Sequence, residues 1–255
     1  MQLKLTTISA FFVVLLASIF LFILIWGFKC VNLKDIFELF KDKEFVAAVV
    51  FGFKTSGLAA VFSFIFGVPS GYFLARSNSN LSRFLDVFFD IPLIIPPLIV
   101  GVLLLDLFNA NFVKNFYDFV FTFYGAATAQ FLIAFPFSVK SSKTAFELIP
   151  PVYERIAMTL GAGRFRSFYD TTFKLAFSGI LSGLILSWLR SLGEFGATLL
   201  VGGGIAFKTE NIPINIYINI SEGNFKKALA ASLLVIILSF FSVFLIKFLN
   251  RRFKV

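Results

Sequence analysis

Charged residues are scarce in this chain, so those inside long apolar runs are the first candidates for chemistry. Arg190 and Glu194 lie four residues apart in a run that continues from residue 175 to about residue 201. On a helix that spacing puts both on one face, where they pair. A charge at bilayer depth costs at least about 2.5 kcal/mol and turns toward protein or water. Two readings stay open. The pair locks its helix against neighbours, or it lines a path for an anion, with Thr198 one turn further along and the forked Arg190 donors suited to a tetrahedral oxyanion. Catalysis has little to draw on. The 255 residues contain no histidine and a single cysteine, Cys30, which argues against zinc, haem and iron–sulfur sites and a histidine-based triad. The few intramembrane carboxylates do not converge, so the chain is read as holding no catalytic residue, no metal ligands and no cofactor. Gly202-Gly203-Gly204 is not followed by Gly-Lys-Ser/Thr, so it is not a phosphate-binding loop.

The second candidate is an interaction surface. Between Pro150-Pro151 and Gly161 or Gly163, a proline start and a glycine stop frame about ten residues of helix, or three turns. Val152, Ile156 and Leu160 share one face, with Tyr153 and Ala157 beside them, while Glu154 and Arg155 point elsewhere. Such a helix either rests among lipid headgroups or inserts as a knob into a partner's groove.

The elements that must position these residues follow from composition. Apolar residues make up 58% of the chain and charged ones 15%, at a mean hydropathy of +0.91, against about 25% charged in ordinary globular domains. Charge-poor runs at 5–28, 55–75, 91–105, 119–139, 175–189 and 228–246 approach the ~20 apolar residues that cross a bilayer. They do not alternate in polarity, which disfavours barrel strands. The prediction is an all-α integral membrane protein of six transmembrane helices, with one membrane domain over 1–255. The first run lacks a small-residue cleavage site and is read as a retained helix. Every arginine outside the spans (Arg76, Arg83, Arg155, Arg164, Arg166, Arg251 and Arg252) falls on the side of both termini, which places both ends in the cytoplasm. The net charge of +9 is then largely inner-face charge meeting lipid or a protein partner. No basic stripe with interleaved aromatics calls for nucleic acid. The 39 phenylalanines read as lipid-facing filler. Gly179 and Gly183 form a small-residue stripe suited to a homodimer seam or to internal packing. Pro92, Pro96 and Pro97 are expected to break the third span, and Lys54 is read as snorkelling from the outer end of the second.

Glu154-Arg155-Ile156-Ala157-Met158-Thr159-Leu160-Gly161-Ala162, followed by Arg164-Phe165-Arg166, resembles the EAA loop of permease subunits of ATP-binding-cassette (ABC) importers, with Arg155-Ile156-Ala157 standing where the family has Glu-Ala-Ala. Gly67–Arg76, Ile91–Pro97 and Ser191-Leu192-Gly193-Glu194-Phe195-Gly196-Ala197-Thr198 resemble core spans of the same permeases. With Thr209–Tyr217, the last of these is similar to the molybdate/tungstate branch, which is related to sulfate permeases. The resemblance implies a type I importer fold of the MetI-like kind, with its core at about 47–250 and a cytoplasmic loop at 140–174. In that loop Tyr153, Glu154, Arg155, Ile156, Ala157, Leu160 and Gly161 would form a coupling helix against a separate ATPase. It further implies two ATPase subunits carrying ATP and magnesium, an extracytoplasmic oxyanion-binding protein, a second copy of the chain and surrounding lipid. The implied function is molybdate or tungstate import by alternating access, with sulfate as the alternative cargo and an ATPase-independent secondary transporter as the alternative mechanism.

Overall fold

The computed structural model describes residues 2–252. Arg251 and Arg252, counted above on the side of both termini, have side chains outside the described residues, and residues 1 and 253–255 lie outside them altogether. Among the described residues the secondary structure is helical: α1 (Gln2–Cys30), α2 (Leu33–Leu39), α3 (Lys43–Arg76), α4 (Asn80–Phe88), α5 (Ile91–Ile94), α6 (Pro97–Asn109), α7 (Asn111–Lys114), α8 (Phe123–Glu147), α9 (Val152–Thr159), α10 (Arg164–Ser167), α11 (Lys174–Leu192), α12 (Gly196–Gly202), α13 (Ile212–Ser221) and α14 (Phe225–Arg252). A π-helical turn, Phe168–Phe173, joins α10 to α11.

The frame is a bundle of three long helices, α3, α8 and α11, each packed on the other two and most closely on α8. The sequence builds it by removing side chains where backbones meet. A Cβ on Gly67 or Gly71 of α3 would stand 2.8 Å from Ser138 Cβ or 2.6 Å from Ser142 Cβ, both on α8. On the adjoining face of α8, a Cβ on Gly179 or Gly183 of α11 would stand 2.6 Å from Ala145 Cβ or 2.5 Å from Ser141 Cβ. The Gly179/Gly183 stripe is therefore internal packing between α11 and α8. Ser187 adds a hydrogen bond across the same seam, donating from Oγ to the Ala134 carbonyl at 2.9 Å. Close approach of small residues is how helices associate where burying apolar surface gains nothing over lipid.

Four helical segments are long and apolar enough to cross a membrane: Ala10–Cys30, Lys43–Arg76, Arg164–Leu192 and Phe225–Phe244. A fifth is reached if Asn80–Ile94 and Pro97–Asn109, which meet at 105°, count as one broken span. This differs from the six expected in two places. The third run is not a continuous helix, because Pro96 and Pro97 remove the backbone donors that would have carried α5 into α6. The fourth, α8, has 25 residues but carries Gly, Ala, Thr, Gln and Ser on faces that touch protein, so its apolarity falls short. The fifth run also departs from expectation: it does not continue as one helix to residue 201 but stops at Leu192 and restarts as α12. The second begins earlier than its charge-free stretch. Asp42 caps it by accepting from Glu44 N at 2.9 Å and Phe45 N at 3.3 Å, so Lys54 sits three turns inside α3, exposed on its surface.

Three apolar clusters fill the frame. Val68, Ala145, Phe146, Ile149, Ala176 and Ile180 sit near the α9 end. Leu104, Phe108, Ala129, Ile133, Ala197 and Val201 join α6, α8 and α12. Phe45, Leu192, Ile212 and Leu233, with their neighbours, close the far end. Exposed phenylalanines such as Phe62, Phe66, Phe240 and Phe244 line the outside, as expected for filler facing lipid. The apolar stretch of α1 buries none of its residues within the chain.

Candidate functional site

The chain between α8 and α11 builds a short projecting helix. After Pro150-Pro151, α9 runs for eight residues, about 12 Å. Its end is a complete Schellman motif: Ala162 N donates to the Ala157 carbonyl and Gly161 N to the Met158 carbonyl, each at 3.0 Å. Gly161 takes φ +90° there, a conformation that needs glycine. No residue of α9 is buried. Val152, Tyr153, Ile156 and Leu160 are exposed, Leu160 by 83%, and Ala157 is half-buried beside them. Leu148, Met158 and Phe165 extend this patch. Arg155 and Arg164 flank it, both exposed. An exposed apolar patch with a basic rim suits a protein partner.

Glu154 turns the other way. Its Oε2 accepts from Tyr72 Oη at 3.1 Å. Its Oε1 accepts from Thr172 Oγ1 at 2.5 Å and lies 3.7 Å from Arg76 Nη2. Its carbonyl accepts from Ser167 Oγ at 2.6 Å. Arg76 Nη2 also donates to the Ile149 carbonyl at 2.9 Å. At the same end, Lys140 of α8 bridges Asp86 and Asp90, at 2.7 and 2.9 Å, while Lys143 reaches Asp86 at 2.8 Å. Asp90 is thus a partner of α8 and not merely a boundary of the third run.

Arg190 and Glu194 form the expected ion pair, Nη1 to Oε2 at 2.8 Å, at the gap between α11 and α12. Glu194 is 1% exposed, and its second oxygen accepts from Ala197 N at 2.9 Å in the first turn of α12. Its carbonyl accepts from Asn211 Nδ2 at 2.8 Å, while Asn211 Oδ1 caps α13 by accepting from Ile214 N at 3.1 Å. The arginine side chain is 31% exposed. Ser191, Thr198 and Gln130 are buried with side-chain polar atoms that find no partner. Gln130, overlooked in the sequence, was visible there as the one amide in the fourth apolar run.

Glu210, in the connection from α12 to α13, was overlooked too. It is 1% exposed and accepts from Asn215 Nδ2 at 2.6 Å. Burial, reinforced by the neighbouring Glu44 carboxylate and opposed by the Asn215 hydrogen bond and by Lys227, pushes its carboxyl up to about 7. Lys227 itself pairs with Asp42. No cluster of candidate metal ligands occurs among the described residues.

Residues 67–255 match the family model for the binding-protein-dependent transport system inner membrane component. The chain belongs to this family. The putative molybdenum transport system permease protein YvgM of Bacillus subtilis (strain 168) is 33% identical over 211 residues, 80% of this chain and 93% of that one. The sulfate transport system permease protein CysT of Escherichia coli (strain K12) is 29% identical over 251 residues, 96% and 91% respectively. A chain from the crystal structure of the bacterial alginate ABC transporter, in complex with alginate pentasaccharide-bound periplasmic protein, superposes with a TM-score of 0.74 at 18% identity, covering 96% of this chain and 94% of that one. The fold is therefore the all-α type I ABC permease fold, and the chain is the permease component of an ABC importer, an inner-membrane protein.

The residues expected in this permease separate into two regions. Tyr153, Arg155, Ile156, Ala157, Leu160 and Gly161 gather on α9, while Arg190, Glu194 and Thr198 lie at the far end of α11 and on α12. The 19 residues of α11 put about 28 Å between them.

Proposed function

We propose that the chain forms one half of an oxyanion importer, a single membrane domain with its core at about 47–250, and that its cargo is molybdate or tungstate. The exposed apolar face of α9 carries the reading: a helix that buries nothing of its own, ends in a rigid glycine turn and is ringed by arginine is built to be covered by another protein. That protein is a separate ATPase, two copies of which hold ATP and magnesium and grip the α9 helices of two permease copies. This chain performs no catalysis. Six crossings, with α8 enclosed by its neighbours and the bent α4–α6 segment as the third, put both termini in the cytoplasm. An extracytoplasmic binding protein delivers the anion at the far end. ATP binding and release drive alternating access, and cargo shifts that equilibrium only through unequal affinity for the two states. Arg190 and Thr198 line the path in this scheme, with Glu194 holding the break between α11 and α12 in shape.

The molybdenum permease relative favours molybdate. The longer alignment with a sulfate permease keeps sulfate as the second reading, since these anions share tetrahedral shape and charge. The deciding experiment is ATP hydrolysis by the reconstituted complex with its binding protein, titrated with each anion. Stimulation by molybdate and tungstate supports the reading. Stimulation by sulfate alone replaces the cargo, and cargo uptake without any ATPase removes the motor.

A further inference from the structure

We propose that Glu154 is a positioning residue that fastens α9 both to α3 and to the root of α11, so that one displacement of α9 reaches two spans together. The inference deepens the reading of α9 as the element gripped by the ATPase and rests on it.

No side chain of α9 is buried, so apolar burial does not hold it. The chain on either side could carry it as a loose loop, and a loose loop transmits no force. Glu154 supplies the missing attachment. One carboxylate oxygen is held by Tyr72 of α3 at 3.1 Å. The other is held by Thr172 of the π-helical turn at 2.5 Å, with Arg76 of α3 at 3.7 Å. The backbone of the same residue accepts from Ser167 of α10 at 2.6 Å. Two segments far apart in sequence, α3 and the continuous α10–π-turn stretch, thus converge on one residue.

These partners are themselves braced. The Tyr72 ring lies edge-on to Phe146 of α8, with centroids 5.2 Å apart, and to Phe168 of the π turn at 4.7 Å. Thr172 is fully buried. Arg76 spans from Glu154 to the Ile149 carbonyl just before α9. Glu154 and Arg76 keep only 17% and 18% of their side chains exposed, so these charge-assisted bonds are partly shielded from water. The π turn places Thr172 immediately before α11, so the same carboxylate that grips α3 also grips the root of the fifth expected span. Single π turns inside α-helices often mark functional sites.

The test uses the full transporter, permease with ATPase and binding protein, in proteoliposomes with radiolabelled molybdate. The variants are Tyr72→Phe, Thr172→Val, Glu154→Gln and Glu154→Ala. The first two remove one hydroxyl each, distant from the exposed face of α9. Two quantities are read: ATPase captured per permease, and molybdate imported per ATP hydrolysed. Tyr72→Phe and Thr172→Val should capture ATPase like the unaltered chain while import per ATP falls about tenfold, the equivalent of one hydrogen bond to a charged group. Glu154→Ala should fall further. Glu154→Gln, which keeps an acceptor and a donor in place, should recover part of the loss. A purely structural role would lower thermal stability and leave import per ATP unchanged, which overturns the proposal. Loss of ATPase capture in Thr172→Val would make the contact a docking requirement and overturn it as well. If the unaltered chain captures no ATPase, the reading of α9 itself fails, and the pin with it. That failure is distinguishable because it appears before any substitution is made.

Discussion

Glu154 and Glu194 each tie a short helix to a long one, at opposite ends of α11, and they do so under different conditions. Around Glu194 the short helix α12 also buries Ala197, Thr198, Val201 and Gly202, and the carboxylate is 1% exposed with both oxygens occupied. Around Glu154 the short helix α9 buries nothing, and the polar contacts of Glu154 tie it to α3 and the π turn. The first joint is welded into the core. The second holds through the polar contacts of one carboxylate, which leaves the apolar face of α9 exposed. A carboxylate at a helix junction can therefore serve as filler of a buried gap or as a fastening for an exposed lever, and only the burial of the helix it holds separates the two.

Stability measurements should expose this contrast first. Glu194→Ala leaves Arg190 without its counter-charge and uncaps α12, and should cost about 3–5 kcal/mol, the usual loss when one member of a buried pair is removed. Glu154→Ala should cost nearer 1.5–3 kcal/mol, as for hydrogen bonds to a charged group. Equal losses in thermal unfolding of the purified permease would erase the distinction between the joints. Ile156→Glu and Leu160→Glu sharpen it from the other side. Each should weaken ATPase capture by at least about thirtyfold, as for an interface hot spot, while shifting stability by less than about 0.5 kcal/mol. A large stability loss would mean that α9 is packed after all.

A smaller effect follows from Glu210. Its pKa is raised in the fold, from an ordinary 4.5 to about 7, so the folded protein favours the protonated form. That contribution is fully present below pH 4.5 and is lost as the pH rises through about 7. Melting temperature should fall across that window, and Glu210→Gln should flatten the dependence. An unchanged profile in the variant would assign the titration to another group. The smallest effect is expected at Gly161. Gly161→Ala forces a side chain into φ +90° with open space around it and should cost about 1–2 kcal/mol locally. It should appear as fraying of α9 in hydrogen exchange and a modest drop in capture, with the global melting temperature unchanged.

The parts legible in the sequence were those written in local chemistry. Pro150-Pro151 and Gly161 framed α9 because missing donors and left-handed backbone are properties of single residues. The Arg190–Glu194 pair was legible from spacing alone. The break beside it was missed: Gly193 and Gly196 flank Glu194, but the apolar run resumes beyond them, and the Asn211 and Ala197 contacts show that the helix has stopped. The glycine stripe at Gly179 and Gly183 was visible, but a stripe does not say what it faces. Its partners, Ser141 and Ala145, lie past the fourth apolar run, in the stretch expected to be a cytoplasmic loop, whereas α8 continues to Glu147. Glu154 was recognised as turned from the apolar face, but its partners Tyr72 and Thr172 lie 82 and 18 residues away, beyond the reach of any local pattern. The polar interior of α8, with Gln130, Ser138 and Ser142, was averaged into a hydrophobic stretch.

The seams of glycine against serine or alanine, where α3 and α11 meet α8, set a mechanical rule for the bundle. Backbones that close tolerate no sliding: one residue of slip at either seam would drive a neighbouring side chain into the space now reserved for hydrogen. The three helices must therefore travel as one bundle, tilting without shearing, and any opening and closing of a passage has to happen around its outside, where it meets the kinked α4–α6 segment or α14.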